Sequence, residues 1–314
     1  MARSDFGHDT TTSEVLAGVD LTGQLALVTG GSSGLGVETA RALAAHGAEV
    51  VITARNLEKA EAVAKKIREE TSARVSVEQL ELDRLASVRA FATRFLERNP
   101  KLQLLINNAG VMACPKGETS DGFEQQFGTN HLGHFLLTGL LVPALLAGAP
   151  ARIVNLSSRG HFISPLNLED PNFEQRDYDK WVAYGQAKTA NVLHAVELER
   201  RLGARGVHAY AVHPGVIITE LIRHMDQEDF EGFRKRGTTS RMKTVEAGAA
   251  TTVYAATAPE LAERGGCYLE DCHVSEVNDD PTATAGVRSY AVDPQLAQRL
   301  WAESERLVAE RFTF

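Results

Sequence analysis

The segment that most constrains the fold is rich in glycine and lies between a strand-like and a helix-like pattern. Residues 29–36 read Thr-Gly-Gly-Ser-Ser-Gly-Leu-Gly, and the preceding run Leu25–Val28 is apolar and of strand length. Apolar residues then recur at helical spacing from Val37 to Ala44. A strand, a glycine turn and a helix form the context in which backbone N–H groups bind a phosphate at a helix N-terminus. The residues predicted to surround the phosphates are Gly30, Ser32, Ser33, Gly34, Leu35 and Gly36.

Apolar runs of strand length alternate with helical patterns along most of the chain. The predicted strands lie at 25–28, 50–53, 75–82, 104–106, 152–156, 207–212 and 267–269. This alternation predicts an α/β fold, namely a doubly wound (Rossmann) parallel sheet with helices on both faces. The carboxyl ends of all parallel strands then meet at one edge of the sheet, where ligands bind.

The chain shows no internal repeat and no shift of composition that would divide it. We therefore predict a flexible N-terminal arm over residues 1–20 and a single domain over residues 21–314. The polar, charged stretch at about 219–245 is predicted to form a substrate lid, with a surface helix as the alternative. A C-terminal helix is predicted at about 294–311, because Asp293-Pro294 is a capping pair and leucines follow on one face.

Charge and cysteine content limit the partners of this chain. Its 314 residues carry a formal net charge of -8, which disfavours nucleic acid or an anionic membrane as the main partner. The cysteines Cys114, Cys267 and Cys272 have no metal-ligand spacing, so no metal site is predicted. We see no apolar stretch near the roughly 20 residues that span a bilayer and no signal-peptide pattern, and we expect a cytoplasmic protein without membrane contact.

A glycine turn alone is weak support for a nucleotide site, and the spacing Gly-x-x-x-Gly-x-Gly departs from the common dinucleotide pattern. About 20 residues further on, where a carboxylate would bind the ribose of NAD, the second strand ends in Arg55 and Asn56. A guanidinium suits a 2′-phosphate and favours NADP(H) over NAD(H), the alternative being a solvated arginine at a strand end. The other candidates at this edge, with ordinary loop roles as the alternative, are Asp83, Asn108, Ala109 and Gly110.

Tyr184 and Lys188 are four residues apart at the start of a predicted helix, so both side chains project from one face. A phenol has a pKa of about 10, and lowering that pKa by about three units requires roughly 4 kcal/mol. An ammonium about 4 Å away in an effective dielectric near 20 supplies roughly that energy. The pair therefore predicts an acid/base tyrosine, although the same spacing also arises by chance in helices.

Three further segments carry candidate residues. Ser157 and Ser158 follow the fifth predicted strand, where a hydroxyl can hydrogen-bond a substrate carbonyl. Asn130 lies inside a long predicted helix, and its low helix propensity favours a kink or a bridging water, with a surface asparagine as the alternative. Pro214-Gly215 follows the sixth strand and turns the chain sharply, so its backbone is predicted to contact a nicotinamide amide.

Together these residues resemble the short-chain dehydrogenase/reductase family. The resemblance covers about residues 20–272 and its motifs are specific in order and spacing. Within the family the chain is most similar to the branch of retinol dehydrogenases, WW-domain oxidoreductase and protochlorophyllide reductase. The segments that carry this closer similarity are Ala54-Arg55-Asn56, the run at 130–135 and Gly266-Cys267-Tyr268.

The resemblance implies hydride transfer at a nicotinamide, with Tyr184 as general acid/base. It implies that Lys188 lowers the pKa of Tyr184 and holds the nicotinamide ribose, and that Ser158, rather than Ser157, polarises the substrate carbonyl. Asn130 would hold a proton-relay water. The family also places two residues near the carboxamide, Ile217 and Thr219.

The predicted function is an NADP(H)-dependent oxidoreductase that interconverts an alcohol and a ketone or aldehyde. The alternatives are a C=C reductase of the same fold and a non-catalytic NADP(H)-binding sensor or scaffold. The partner is a small-molecule carbonyl or alcohol, and the outward-facing helices are compatible with a homodimer or homotetramer. Tyr184 follows Ser158 by 26 positions, a long gap for the family, so the intervening loop is predicted to shape the substrate pocket.

Overall fold

The computed structural model describes residues 5–235 and 242–314. The strands in these residues form one eight-stranded sheet with the order β3-β2-β1-β4-β5-β6-β7-β8. Neighbours pair in parallel except β7 and β8, which are antiparallel. This confirms the predicted doubly wound sheet. The strands are β1 Leu25–Thr29, β2 Glu49–Ala54, β3 Val75–Gln79, β4 Leu104–Asn107, β5 Ala151–Leu156, β6 Val207–His213, β7 Cys267–Glu270 and β8 His273–Val274.

Helices cover both faces of the sheet. One layer contains α4, α6, α7 and α10, and the other contains α1, α2, α3 and α9. The α-helices of the described residues are α1 Thr12–Val15, α2 Gly34–Ala45, α3 Leu57–Thr71, α4 Leu85–Arg98, α5 Gln125–Phe127, α6 Gly133–Ala147, α7 Lys180–Leu202, α8 Gln227–Lys235, α9 Val245–Thr257 and α10 Pro294–Leu307. Short 3-10 helices lie at Arg159–Phe162, Gly203–Arg205, Glu220–His224, Pro259–Leu261 and Ser289–Ala291.

The central strand β1 shows why its sequence is apolar without interruption. All five of its residues are buried. Leu25 and Leu27 pack into the layer of α4, α6 and α7, whereas Ala26 and Val28 pack into the opposite layer. Successive side chains of a strand point to opposite faces, so a strand covered on both sides needs apolar residues at every position.

The N-terminal segment differs from the flexible arm that the sequence predicts. Residues Phe6, Val15 and Leu16 are buried, and Phe6 meets the ring of Tyr254 edge to face at 6.2 Å. The hydroxyl of Thr12 donates a hydrogen bond of 2.5 Å to the buried carboxylate of Glu38. Residues 5–20 thus pack on α2 and α9, because three apolar side chains and a polar anchor have partners there that sequence periodicity does not reveal.

The long helix predicted before β5 contains an irregular turn. A π-helical segment, Gly128–Leu132, joins α5 to α6 and includes Asn130. The helical stretch Gln125–Ala147 has 23 residues, and an 18-residue window within it has a mean hydropathy of 1.3, so it is long and apolar enough to cross a bilayer by length and composition. The statement that the chain has no such stretch is therefore wrong. Within the protein, 78% of its apolar window is buried, which is the setting of a core helix.

Smaller differences concern the ends of elements. Strand β3 ends at Gln79 rather than near residue 82, α10 ends at Leu307, and the short strand β8 was not predicted. The predicted lid contains a 3-10 helix at Glu220–His224 and α8, and its residues 236–241 lie outside the described residues.

Candidate active site

A cavity of about 720 Å³ lies at the carboxyl ends of β1, β4, β5 and β6. It brings together most of the site residues predicted from the sequence, although they come from five separate parts of the chain. The predicted residues that line it are Gly30, Ser33, Gly34, Leu35, Gly36, Asn108, Ala109, Gly110, Ser158, Tyr184, Lys188, Pro214, Gly215, Ile217 and Thr219. The predicted residues that do not line it are Ser32, Arg55, Asn56, Asp83 and Asn130.

The glycine loop forms one wall of the cavity, and its geometry requires glycine at two positions. Gly30 has φ +67°, and a Cβ there would lie 2.9 Å from the Cα of Ala109. A Cβ on Gly36 would lie 2.3 Å from the carbonyl oxygen of Gly30. The helix α2 begins directly after this loop, and Ser33 at its N-cap makes no side-chain capping bond. The first N–H groups of α2 are therefore free of a side-chain cap and suit a phosphate.

The edge beside the ends of β2 and β3 carries the predicted 2′-phosphate residues. The guanidinium of Arg55 is 64% exposed and lies 4.0 Å from the carboxylate of Asp83. The side-chain oxygen of Asn56 accepts a hydrogen bond from the N–H of Lys59 and so caps α3. The ammonium of Lys59 lies 2.5 Å from the carboxylate of Glu220 in the lid segment. Lys59 is a cation in the first turn of α3 that the sequence reasoning missed, and it connects this edge to the lid segment.

Ser158 and Tyr184 meet at the centre of the cavity. The hydroxyl of Ser158 accepts a hydrogen bond of 3.0 Å from the N–H of Gly160 and is hydrogen-bonded to the phenol of Tyr184. The neighbouring Ser157 instead donates its hydroxyl to the carbonyl oxygen of Lys188 at 2.8 Å. Its hydroxyl is therefore engaged in holding α7, which agrees with the choice of Ser158 from the sequence.

Lys188 lies one turn after Tyr184 on the same face of α7. Its ammonium is 5.5 Å from the centre of the Tyr184 ring and donates a hydrogen bond of 3.0 Å to the carbonyl oxygen of Leu156. Burial lowers the pKa of Lys188 to about 8, because the low-polarity surroundings disfavour the ammonium. Burial likewise raises the pKa of Tyr184 to about 12, against a smaller lowering by the hydrogen bond from Ser158.

This electrostatic result corrects the prediction that the ammonium of Lys188 lowers the pKa of Tyr184. In the protein itself desolvation of the phenol is the largest contribution, and the pKa of Tyr184 moves upward. A helical spacing indicates that two side chains can meet, but the extent of their burial depends on the elements packed around them. Tyr184 is therefore a protonated phenol at neutral pH, and its burial makes it a weaker acid than a free phenol.

Asn130 lies beside the cavity without lining it. Its amide nitrogen donates to the carbonyl oxygen of Val111 at 2.9 Å, and its side-chain oxygen accepts from the N–H of Val111 at 2.8 Å. The side chain of Asn130 is thus engaged with the loop after β4. The kink predicted from its low helix propensity corresponds to the π-helical segment, and its backbone carbonyl oxygen lies 3.0 Å from Nδ1 of His134.

The substrate end of the cavity consists mostly of apolar side chains that sequence reasoning did not single out. Two of them follow Ser158 closely, whereas residues 164–179 of the long insertion do not reach the cavity. No spacing rule links these positions, because they come together only when the loops fold over the sheet edge. The apolar residues at this end are Met112, Phe162, Ile163, Trp181, Leu221 and Ile222.

The lid segment is attached to the start of α7 by polar contacts. The ammonium of Lys180 lies 2.7 Å from the carboxylates of both Asp226 and Asp229. The indole N–H of Trp181 donates to Asp229 at 2.8 Å. In residues 5–235 and 242–314, no group of three or more His, Cys, Asp or Glu side chains is arranged to hold a metal ion.

Comparisons with known proteins agree with this geometry. Residues 24–229 match the family model described as short chain dehydrogenase. The chain is 43% identical to human Retinol dehydrogenase 13 over 293 residues, which are 91% of this chain and 85% of that protein.

Two solved structures are similar throughout the fold. An uncharacterized protein from Mycobacterium Paratuberculosis has a TM-score of 0.73 and 34% identity, covering 100% of this chain and 99% of the other. A short chain dehydrogenase from Burkholderia cenocepacia in complex with NADP has a TM-score of 0.64 and 28% identity, covering 79% of this chain and 96% of the other. On the family match and this identity, the chain belongs to the short-chain dehydrogenase/reductase family of oxidoreductases.

Proposed function

We propose that this protein is an NADP(H)-dependent oxidoreductase that interconverts an alcohol and an aldehyde or ketone. The observation that carries the proposal is the meeting of a protonated phenol, a serine hydroxyl and a buried ammonium in one cavity beside an uncapped helix N-terminus. The similarity to a retinol dehydrogenase supports alcohol and carbonyl chemistry. A family member solved with NADP supports the class of cofactor.

The residues present fit a nicotinamide dinucleotide. The glycine loop and the first turn of α2 would hold the pyrophosphate, Arg55 would hold the 2′-phosphate of NADP with Asn56 beside it, and Asp83 would accept from the adenine amino group. Lys188 would bind the nicotinamide ribose, and Ile217 and Thr219 lie on the cavity wall assigned to the carboxamide. When bound, the cofactor supplies or accepts a hydride.

In the reductive direction, the side chains of this chain handle the proton. The hydroxyl of Ser158 binds the substrate oxygen and orients the carbonyl. The phenol of Tyr184, which is protonated at neutral pH, donates its proton to that oxygen. The ammonium of Lys188 would return a proton to the phenolate that remains, and a water at the backbone carbonyl of Asn130 would then reprotonate Lys188. Oxidation of an alcohol follows the same steps in reverse.

The lining of the cavity indicates the class of substrate. Six large apolar side chains line the cavity together with the charged Arg159, Glu220 and Arg223, and Trp181 and Met112 pack around Tyr184. Apolar lining with a few converging polar groups is typical of sites for hydrophobic ligands. We therefore propose an aldehyde or ketone with an apolar body, and a panel that runs from short aldehydes to long apolar ones, retinal included, tests this.

The decisive variant is Tyr184→Phe, which removes the acidic proton and keeps the ring. We expect NADPH to bind with unchanged Kd while kcat falls by about 10²- to 10⁴-fold, the usual contribution of a general acid. Loss of absorbance at the reduced-nicotinamide band over the carbonyl panel measures turnover, and mass spectrometry of the product separates carbonyl from C=C reduction.

The matched control is Tyr254→Phe, which removes a phenol hydroxyl from α9, outside the cavity. It should keep wild-type kcat. Near-normal turnover by Tyr184→Phe would contradict the mechanism. Binding of NADPH without turnover of any carbonyl or enone by the wild-type protein would instead favour the sensor or scaffold.

A further inference from the structure

His134 connects the strand that leads into the glycine loop to the π-helical segment. The proposed function gives this residue no role. The residue lies in α6, one turn after Asn130, and only 2% of its surface is exposed. Its Nδ1 lies 3.0 Å from the backbone carbonyl oxygen of Asn130. Its Nε2 lies 2.9 Å from the hydroxyl oxygen of Thr29, the last residue of β1. One ring thus touches both the carbonyl assigned to the relay and the strand that leads into the cofactor loop.

The hydrogen-bond partners on both sides require the same tautomer of this ring. The hydroxyl oxygen of Thr29 accepts from the N–H groups of Asn108 at 2.9 Å and Ala109 at 3.0 Å, which use both of its lone pairs. Its proton is then donated to Nε2 of His134, since the other acceptor in reach, the carbonyl oxygen of Ile106, is farther away at 3.4 Å. The carbonyl of Asn130 can only accept, so the ring proton must be on Nδ1.

The charge state of the ring supports this arrangement. Burial, with a smaller contribution from the nearby ammonium of Lys188, lowers the pKa of His134 to about 4, against a raising effect of the hydrogen bond to Asn130. The other titratable groups that act on this cluster are His131 on the same helical stretch and His194 on α7. The pKa values of both are also lowered by burial, so the three imidazoles are neutral at pH 7. A neutral ring keeps an acceptor for Thr29, which a protonated ring would lose.

The two partners of His134 control different parts of the proposed site. Thr29 organises the cofactor end, because its hydroxyl holds the backbone after β4 and its carbonyl accepts from the side chain of Asn108 at 2.7 Å. Asn130 belongs to the proton-relay end, where its side chain clamps the backbone of Val111. A displacement of the ring would therefore change cofactor affinity through one bond and proton transfer through the other.

We infer that His134 is a positioning residue that holds the hydroxyl of Thr29 and the carbonyl of Asn130 at a set separation, and so aligns the cofactor loop with the proton relay. The part of the inference that concerns proton transfer rests on the proposed function. The part that concerns the cofactor loop, its cofactor half, depends only on NADP binding and is measured separately.

Two substitutions separate the two hydrogen bonds. His134→Asn places an amide nitrogen near the position of Nδ1, which keeps the donor to Asn130 and removes the acceptor for Thr29. His134→Gln reaches the position of Nε2 with its amide oxygen, which keeps the acceptor and removes the donor. We expect His134→Asn to raise the Kd of NADPH about 10-fold with kcat nearly unchanged at saturation.

For His134→Gln we expect the converse. The Kd of NADPH stays within about two-fold, while kcat falls about 10-fold and the pH profile of kcat shifts by about one pH unit. NADPH fluorescence titration gives the Kd without substrate, and steady-state kinetics from pH 5.5 to 9.5 give kcat. Because the Kd measurement needs no turnover, the cofactor half can be tested even if the proposed reaction is wrong.

His131→Gln is the matched control. His131 directly follows Asn130 and is buried, but its side chain is hydrogen-bonded to Ser304 at 2.9 Å and not to either partner of His134. Its replacement should leave Kd and kcat within about two-fold, whatever it does to the unfolding temperature, which is recorded for every variant. If both His134 variants merely lose stability like His131→Gln, and neither separates Kd from kcat, the inference is wrong.

A double variant covers the case in which one substitution disturbs packing. Thr29→Val removes the hydroxyl that donates a hydrogen bond to His134, so it should raise the Kd of NADPH. The combination of Thr29→Val with His134→Asn should then be no weaker in binding than the worse of the two single variants. Additive losses would show that the two side chains act separately and would overturn the link.

Discussion

At the scale of single residues, the proposed preference for NADP rests on one exposed guanidinium. Arg55 pairs with Asp83 at 4.0 Å, and both side chains are partly exposed. An exposed pair at this distance contributes little to stability, so Arg55 can exchange Asp83 for a phosphate at small cost. The sequence placed Arg55 correctly at the end of β2, but the carboxylate beside it became visible only in the folded chain.

Arg55→Ala should therefore act on one cofactor and spare the other. We expect the KM for NADPH to rise about 10- to 100-fold, the loss associated with a charge-assisted hydrogen bond, while the KM for NADH changes by less than about two-fold. Steady-state kinetics with both cofactors measure this.

The control is Arg74→Ala. Arg74 is another exposed arginine, and it pairs with Glu49 at the amino-terminal ends of β2 and β3, opposite the ends that carry the site. It should alter neither KM. An equal loss with both cofactors in Arg55→Ala would indicate a general effect on the fold and not recognition of the 2′-phosphate.

At the scale of elements, α10 covers the outer surface of α6 and α7. Trp301 is buried against Phe135 of α6, with ring centres 4.9 Å apart, and the guanidinium of Arg201 lies 4.1 Å from the centre of its ring. The rings of Phe312 and Phe314 complete the cluster. The sequence indicated an amphipathic helix here, but the identity of the surface that it covers is a tertiary property.

Trp301→Ala removes the largest side chain of this contact. The expected loss in the free energy of unfolding is about 3–5 kcal/mol, which combines lost burial with an unfilled cavity. Urea unfolding followed by circular dichroism measures it. Gln298→Ala, at an exposed position of the same helix, should change stability by less than about 0.5 kcal/mol. Similar small effects of both variants would mean that α10 is not a stabilising part of the domain.

At the scale of the whole molecule, buried histidines make stability depend on pH. Burial lowers the pKa of His131 to about 3 and those of His134 and His161 to about 4. Between these values and about 6.5 the unfolded chain binds more protons than the folded one, so stability falls as the pH falls through this range. Glu124 and Glu270, whose pKa values are raised by burial, act in the opposite direction.

His131→Gln removes one of the groups that bind a proton in the unfolded chain but not in the folded one. The free energy of unfolding should fall less steeply between pH 6 and pH 5 than in the wild type, by about 1.4 kcal/mol per pH unit. Urea unfolding at pH 7, 6 and 5 gives both slopes. Parallel slopes would show that His131 is not buried as a neutral ring. The oligomeric state and the cytoplasmic location stay predictions at this scale.

The sequence by itself determined the doubly wound sheet and the order of its elements, and it placed the glycine loop and Ser158 at strand ends and Tyr184 with Lys188 on one helix face. These features follow from local rules, because hydrophobic periodicity, turn residues and the ends of strands each depend on only a few neighbouring residues. Tertiary structure alone decided the docking of residues 5–20, the apolar end of the cavity, the raised pKa of Tyr184 and the bridge made by His134. Burial and long-range contacts set these properties, and both depend on segments that are distant in the chain.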